Sequence, residues 1–493
     1  MRLSPCLVVI AALSSSVQAF YPYELKAKSP VSRSTWETVQ RRFLPWTLSP
    51  TKSDTHADTK PTTLDIKKLP VRRGNNYDRI KADTPKFPQS APLDQDGLDY
   101  SYFVAMEVGS QKQEMWLAVD TGSPSTWVFD AACTADVCTS HHTFSSSASS
   151  SFSSNGSSFS LGYSSGTVRG GLGKDTMSVA GLDVDLPFGQ VTKATNDFSS
   201  YPIDGILGLG RSYTGGWKRS SFMDVVAEKK LLKSNLIGFS LSRASNDPKS
   251  GEVNFGKVDT SKFDGDISYT STNADSWTIP LDDAYVNGQS CNFSKRSTTI
   301  DTGTTYIFLP PADAKTLFSF IPGSSMSEDE NYVVPCNSTA ALEFSFSGIK
   351  YSILPEDYIG EKTDSGCLST IVGHQSGATN TWLVGDVFLK NVYSVFDFDN
   401  AKIGFGKRAH SSSGNGTSEA PSRSSTTLTT SATGSGTSTS SDTAGQTTSA
   451  TSSTTSAAAS SAASASASDS SALRLAHGVG WPLLGAVLSA LFV

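Results

Sequence analysis

Val119-Asp120-Thr121-Gly122-Ser123 and Ile300-Asp301-Thr302-Gly303-Thr304 are two copies of one phrase: an apolar residue, Asp-Thr-Gly, then a hydroxyl residue. The two aspartates stand 181 positions apart. A single Asp-Thr-Gly is a weak signal, because Asp and Gly recur in ordinary β-turns. Its repetition with matched flanks carries the reading. The apolar run Met115-Trp116-Leu117-Ala118-Val119 ahead of the first copy reads as a buried strand. A strand ending in Asp-Thr-Gly can place its carboxylate at the floor of a cleft, while Gly122 and Gly303 let backbone N–H groups approach and donate to it. If each copy belongs to its own lobe, the lobes bring Asp120 and Asp301 together. Like charges a few ångströms apart cannot both ionise, so such a pair keeps one shared proton and presents a base and an acid at once. A water held between them would give a proton to the ionised carboxylate and attack a peptide carbonyl, whose oxygen takes the other proton. This chemistry requires no metal, cofactor or covalent intermediate.

Outward from the two phrases the texture is β. Between Gln89 and Arg408, runs such as Tyr102-Phe103-Val104-Ala105-Met106-Glu107-Val108 alternate or stay apolar over strand lengths, with Gly-rich turns between them. The clearest helix candidate is Ser221 to Lys230, opened by a capping serine. The span is large for one sandwich and suits two β-lobes, 89–259 and 260–408, with a crossover near Gly256 to Phe263. The whole chain has 493 residues, 40 Lys+Arg against 46 Asp+Glu, and only 17% charged residues. A formal net charge of −6 argues against a nucleic-acid partner, which needs a basic patch. A hydrophobic fraction of 37% excludes disorder throughout.

With these residues in hand, the sequence resembles the pepsin-like aspartic endopeptidases, in particular the fungal, anchored, cathepsin-D-like members, over essentially all of 89–408. Gly162-Tyr163-Ser164-Ser165-Gly166 is similar to that family's mobile flap hairpin, with Tyr163 closing on substrate. Trp127 stands where the family has the tryptophan that hydrogen-bonds this tyrosine. Asp204-Gly205-Ile206-Leu207-Gly208 and Trp382-Leu383-Val384-Gly385-Asp386 match the two strands that cradle the catalytic loops, and Val395 to Phe405 resembles the close of the second lobe. The resemblance implies a mostly β, bilobal fold with Asp120 and Asp301 catalytic. Substrate would lie under the flap, against Tyr163, Ser165, Gly166, Gly122, Ser123, Gly303, Thr304 and Trp127. It implies polypeptide substrates, activity in acid and, since one chain carries both motifs, a monomer. The rival reading is a catalytically inactive pepsin-fold binding or adhesion protein of the cell wall. Inactive relatives usually lose an aspartate or the flap tyrosine, and all three are present here.

Of six cysteines, Cys6 falls in the leader, leaving an odd number in an oxidising compartment. The resemblance implies the pairs Cys133 with Cys138 and Cys336 with Cys367, and leaves Cys291 over. Asn155, Asn292, Asn337 and Asn415 head Asn-x-Ser/Thr triplets and are expected to carry glycans. The pair His141-His142 lacks further ligands for a metal and is expected in a solvated loop.

Both ends read as processing signals. Met1-Arg2, the apolar run Leu7 to Leu13 and the small residues Val17 and Ala19 form a secretory signal over 1–19. Residues 20–88 are basic and irregular, as suits a propeptide that covers an acidic cleft and inhibits it, with Lys67 or Lys68 against the aspartates and a dibasic pair at Arg72-Arg73. From 409 to 469 the chain becomes a Ser/Thr-rich stalk suited to O-glycosylation. Small residues around Asp469, a short spacer and the charge-free tail Val479 to Val493 have the order of a glycosylphosphatidylinositol signal, with Asp469 as attachment site and 470–493 removed. That apolar tail, 15 residues with Pro482 inside, is shorter than a membrane span. The expected destination is the outer cell surface, held to plasma membrane or wall by the lipid.

Overall fold

The computed structural model describes residues 74–211, 220–272, 276–327 and 331–409. The signal segment, Lys67, Lys68, the pair Arg72-Arg73, Asn415, Asp469 and the C-terminal tail lie outside these residues.

The chain is mostly β and its strands follow their side chains. Gln113–Asp120 is almost wholly buried and sits centrally, as a continuous apolar run should. In Tyr102–Val108 the second half alternates, with Val104, Met106 and Val108 inward and Ala105 and Glu107 exposed. These two strands pair antiparallel within an eight-stranded sheet of the N-terminal lobe, together with Asp94–Gln95, Gly205–Gly208, Trp127–Phe129, Leu182–Ala194, Gly166–Val179 and Ser153–Tyr163. The C-terminal lobe repeats the central part in five strands, Thr278–Leu281, Arg296–Ile300, Thr381–Val384, Ile307–Leu309 and Ile371–Gly373, and adds two four-stranded sheets.

The repeat is one of register as well as of sequence. Gln113–Asp120 runs parallel to Gly205–Gly208 with Asp120 opposite Gly208. Arg296–Ile300 runs parallel to Thr381–Val384 with Ile300 opposite Val384. Each Asp-Thr-Gly therefore emerges beside the end of an apolar strand that closes on glycine. A Cβ on Gly208 would lie 2.4 Å from the Pro124 carbonyl carbon, and one on Gly385 only 1.9 Å from the Thr304 carbonyl oxygen, so nothing larger fits beneath either loop.

A third layer is shared. A six-stranded sheet joins Ser90–Pro92, Leu236–Ser240 and Glu252–Phe255 to Val392–Asp397, Lys402–Arg408 and Phe263–Ser271. The lobes are thus not two separate bodies on a tether; the expected crossover near 260 lies between two strands of one sheet. Buried charges add to the join. Asp357 holds Arg243 at 2.7 Å and Lys390 at 3.1 Å, and Lys390 reaches Asp99 at 3.2 Å. The α-helix Phe222–Glu228 opens on a capping box between Ser221 and Asp224.

The expected propeptide boundary at 88 marks no break in packing. Residues 74–88 form an arm bonded to the N-terminal lobe. Asn75 Nδ2 donates to Asp204 Oδ1 at 2.8 Å, Arg79 pairs with Asp94 and lies 4.1 Å above the Trp116 ring, and Ile80 bridges to Gln95.

Candidate active site

Asp120 and Asp301 are both fully buried, and the glycine of each Asp-Thr-Gly abuts the other motif's carboxylate. Gly122 N–H donates to Asp120 Oδ1 at 2.8 Å and to Asp301 Oδ1 at 3.0 Å, so one donor spans the pair. Ser123 N–H adds a bond to Asp120 Oδ1 at 3.1 Å. Asp301 is further held by Gly303 N–H at 2.8 Å on Oδ1 and by the Thr304 hydroxyl at 2.6 Å on Oδ2. The glycines are required by this closeness. A Cβ on Gly122 would meet Asp301 Oδ2 at 2.6 Å, and one on Gly303 would meet Asp120 Oδ1 at 2.6 Å.

The middle residue of each motif locks the two loops together. Thr302 Oγ1 accepts from Thr121 N–H and donates to the Val119 carbonyl, while Thr121 Oγ1 accepts from Thr302 N–H and donates to the Ile300 carbonyl, at 2.8 to 3.1 Å. Four buried backbone groups are thereby satisfied across the lobe interface by two hydroxyls. Nothing in the sequence pattern separates this role from that of any other turn threonine, although both residues sit inside the motif.

Burial drives both carboxyl groups above the ordinary aspartate range. For Asp120 the neighbouring Asp301 charge adds to the rise, and its Oδ2 has no hydrogen-bond partner among the described residues. For Asp301 the Thr304 hydroxyl and Gly303 N–H oppose the rise. The two carboxyls titrate as one coupled pair, in which Asp301 receives three donors and Asp120 two. A third carboxyl, Asp386, follows Gly385 and donates its N–H to the Thr304 carbonyl; burial pushes it well up, and its Oδ1 is also unpartnered.

Tyr163 and Gly166 face each other at the tip of the hairpin formed by Ser153–Tyr163 and Gly166–Val179, with Ser164 exposed and Ser165 half-buried in the turn. Trp127 Nε1 donates to the Tyr163 hydroxyl at 2.9 Å. Burial and the nearby Asp120 charge keep that phenol protonated. The structure thus brings Asp120, Asp301, Gly122, Ser123, Gly303, Thr304, Trp127 and Tyr163 into one region.

Cys133 is bonded to Cys138 and Cys336 to Cys367. Cys291 is free and buried, its thiol pushed up to about 12 by that burial, which makes it a poor nucleophile. Asn155, Asn292 and Asn337 are exposed on the surface. The histidine pair corrects the sequence expectation: His141 is fully buried rather than solvated, and His142 Nδ1 lies 2.7 Å from Asp204 Oδ2. A loop rich in Ser and Thr hides this, because the buried partners come from a segment 60 residues away.

Comparison with known proteins agrees with this geometry. The sequence profile of the eukaryotic aspartyl protease family matches residues 101–408. The chain is 50% identical over 416 residues to the aspartic-type endopeptidase ctsD of Aspergillus fumigatus, covering 83% of this chain and 88% of that one. It is 32% identical over 362 residues to major aspartyl peptidase 1 of Cryptococcus neoformans, covering 68% and 74%. It is 33% identical over 316 residues to cathepsin E-B of Xenopus laevis, covering 62% and 79%. With well over half its length matched and both aspartates in one bonded pair, the chain belongs to the eukaryotic aspartyl proteases, the pepsin-like family, and is an aspartic-type endopeptidase.

Proposed function

We propose that Asp120 and Asp301 are the catalytic pair of a secreted, surface-anchored enzyme that cleaves polypeptides in acid. The observation that carries the reading is the Gly122 N–H shared by the two carboxylates. Asp301, its charge stabilised by Gly303 N–H and the Thr304 hydroxyl, takes a proton from the attacking water. Asp120, holding the shared proton, gives it to the carbonyl oxygen of the scissile peptide. The tetrahedral adduct then collapses as a proton passes to the leaving amine, and the pair returns to its starting state. Tyr163, steadied by Trp127, closes over an extended substrate and excludes water. Activity needs one proton on the pair, so it falls when both carboxyls are protonated and when both are ionised.

The chain's ends support the rest of the proposal. The leader 1–19 would send it to the secretory pathway. A basic propeptide would inhibit the cleft until cut, and the bonds made by Asn75 and Arg79 favour a cut after Arg73 that leaves the 74–88 arm in place. The tail beyond Asp469 would be exchanged for lipid, holding the enzyme outside the cell on its stalk.

The test is cleavage of denatured haemoglobin from pH 3 to 7 by cells expressing the full chain, with and without a statine-type inhibitor, before and after treatment with a phosphatidylinositol-specific phospholipase. The proposal expects inhibitor-sensitive acid cleavage that the phospholipase releases into the medium. Cleavage restricted to neutral pH refutes the acid enzyme, and activity that stays with the cells refutes the lipid anchor.

A further inference from the structure

Both ring nitrogens of His141 face carbonyl oxygens: Nδ1 lies 2.7 Å from Val137 O and Nε2 lies 2.9 Å from Tyr201 O, with the ring fully buried. A carbonyl oxygen only accepts. A neutral imidazole carries one N–H, so its other nitrogen would point a lone pair at an oxygen within hydrogen-bond distance. The imidazolium carries two and satisfies both.

The two carbonyls belong to short 3-10 helices that frame the flap. Val137 lies in Asp136–Thr139, inside the loop closed by Cys133–Cys138. Tyr201 ends Asn196–Ser200, whose Phe198 ring packs 5.5 Å from Trp127 and 6.3 Å from Tyr163. The residue before that helix, Thr195, exchanges hydrogen bonds with Thr167 on the flap strand. His141 thus ties a disulfide-closed loop to the element on which the Trp127–Tyr163 pair rests.

We propose that His141 is a positioning residue that works as an imidazolium, clamping the Asn196–Ser200 helix behind the flap in acid and letting it go as the ring loses its second proton. The inference rests on the endopeptidase reading for its effect on catalysis, though not for the clamp itself. The groups around the ring fit the assignment. From the arm, Tyr77 lies 4.9 Å away and donates its hydroxyl to Ser199 O, while Arg79 sits over Trp116. From the preceding strand, Phe129 packs at 4.9 Å, and the adjacent Asp130 is bonded to Ala132 N–H and Gln190. Asp136 and Asp197 on the two short helices are exposed. The neighbouring carboxylate Asp204 is taken by His142, Asn75 and Trp116 N–H. The clamp is complete only while both ring nitrogens carry a proton, since the neutral ring can donate to one carbonyl alone.

The test uses the processed Asp120→Asn protein, which cannot digest itself under the mechanism above, labelled with 15N. At pH 4.5 the side-chain nitrogen shifts of His141 should report two N–H groups, and on titration toward pH 7.5 the amides of residues 195–201 and 163–167 should change with it. A ring with a single N–H at pH 4.5, or a titration that leaves those amides unmoved, overturns the proposal. In the active enzyme, His141→Gln supplies one side-chain donor at every pH. Its kcat/KM should lie about tenfold below wild type at pH 4.5 and within about twofold near pH 7. The matching His142→Gln variant should lack that trend. A deficit in His141→Gln that is the same at all pH values overturns the proposal. If that variant does not fold, or if no peptide is cleaved, the nitrogen shifts still decide.

Discussion

Gly303→Ala isolates the fit between the two loops. Gly303 does not occupy the positive-φ region, so alanine adopts its backbone without strain. The whole cost is a collision: the new Cβ would lie 2.6 Å from Asp120 Oδ1, 2.7 Å from its Cγ and 3.2 Å from its Cβ. An unstrained contact is about 3.4 Å, so the carboxylate must recede by about 0.8 Å. It cannot swing aside freely, because Gly122 and Ser123 N–H both hold Oδ1 and the residue is fully buried. A displacement near 1 Å in a reacting group costs about 10²-fold, or about 2.7 kcal/mol of transition-state stabilisation. Since the alanine touches the acid rather than the bound peptide, the loss should fall on kcat with KM little changed. The assay is steady-state cleavage of a quenched fluorescent peptide at the acid optimum, with thermal unfolding to establish that the variant is folded. A folded Gly303→Ala enzyme within threefold of wild-type kcat would refute the reasoning. Gly122→Ala, which meets Asp301 Oδ2 at 2.6 Å, should behave alike; a large effect in one and none in the other would contradict the equivalence of the loops.

Thr302→Val leaves two buried backbone groups of the opposite loop unpaired and should cost about 2–6 kcal/mol in urea unfolding, whereas Thr302→Ser should cost little. Asp386 has a raised pKa, so its contribution is present in acid and is lost as pH climbs from the ordinary carboxylate range toward its own higher value. Asp386→Asn should accordingly raise Tm near pH 7 and leave it close to wild type at pH 4, as calorimetry can measure. Burial pulls Asp357 upward, but Arg243 and Lys390 outweigh it and hold the group below the usual range. Its ion pairs therefore persist in acid and are lost only as pH falls through that lowered value. Lys390→Met should cost about 3–5 kcal/mol both at pH 4 and at pH 7, read from denaturant midpoints.

The pair at the centre was legible because its chemistry is local: the apolar run into Asp120, the glycine two residues on and the hydroxyl after it all lie in one phrase, and the phrase recurs. Tyr163 and Trp127 were legible by resemblance, each being recognisable in a short segment. What escaped depends on distant pairing. The sheet shared by both lobes joins Leu236–Ser240 to Val392–Asp397, and neither strand's alternation says which partner it takes. The arm from Gly74 to Pro88 reads as irregular and basic, since its bonds go to Asp204, Pro202 and Ser199, more than a hundred residues onward. His141 sits in a segment whose Ser and Thr residues read as solvated for the same reason, and the pattern around Asp386 reads as a cradle strand that gives no sign of its burial.

The central claim is that one proton shared by two buried aspartates cleaves peptides. It is tested most directly by kcat/KM from pH 2.5 to 7.5 for the processed wild type beside Asp120→Asn and Asp301→Asn, each shown to be folded. The account predicts a bell-shaped profile for the wild type and a loss of at least about 10³-fold at every pH for either variant. Either variant retaining a tenth of wild-type activity at the optimum would contradict it.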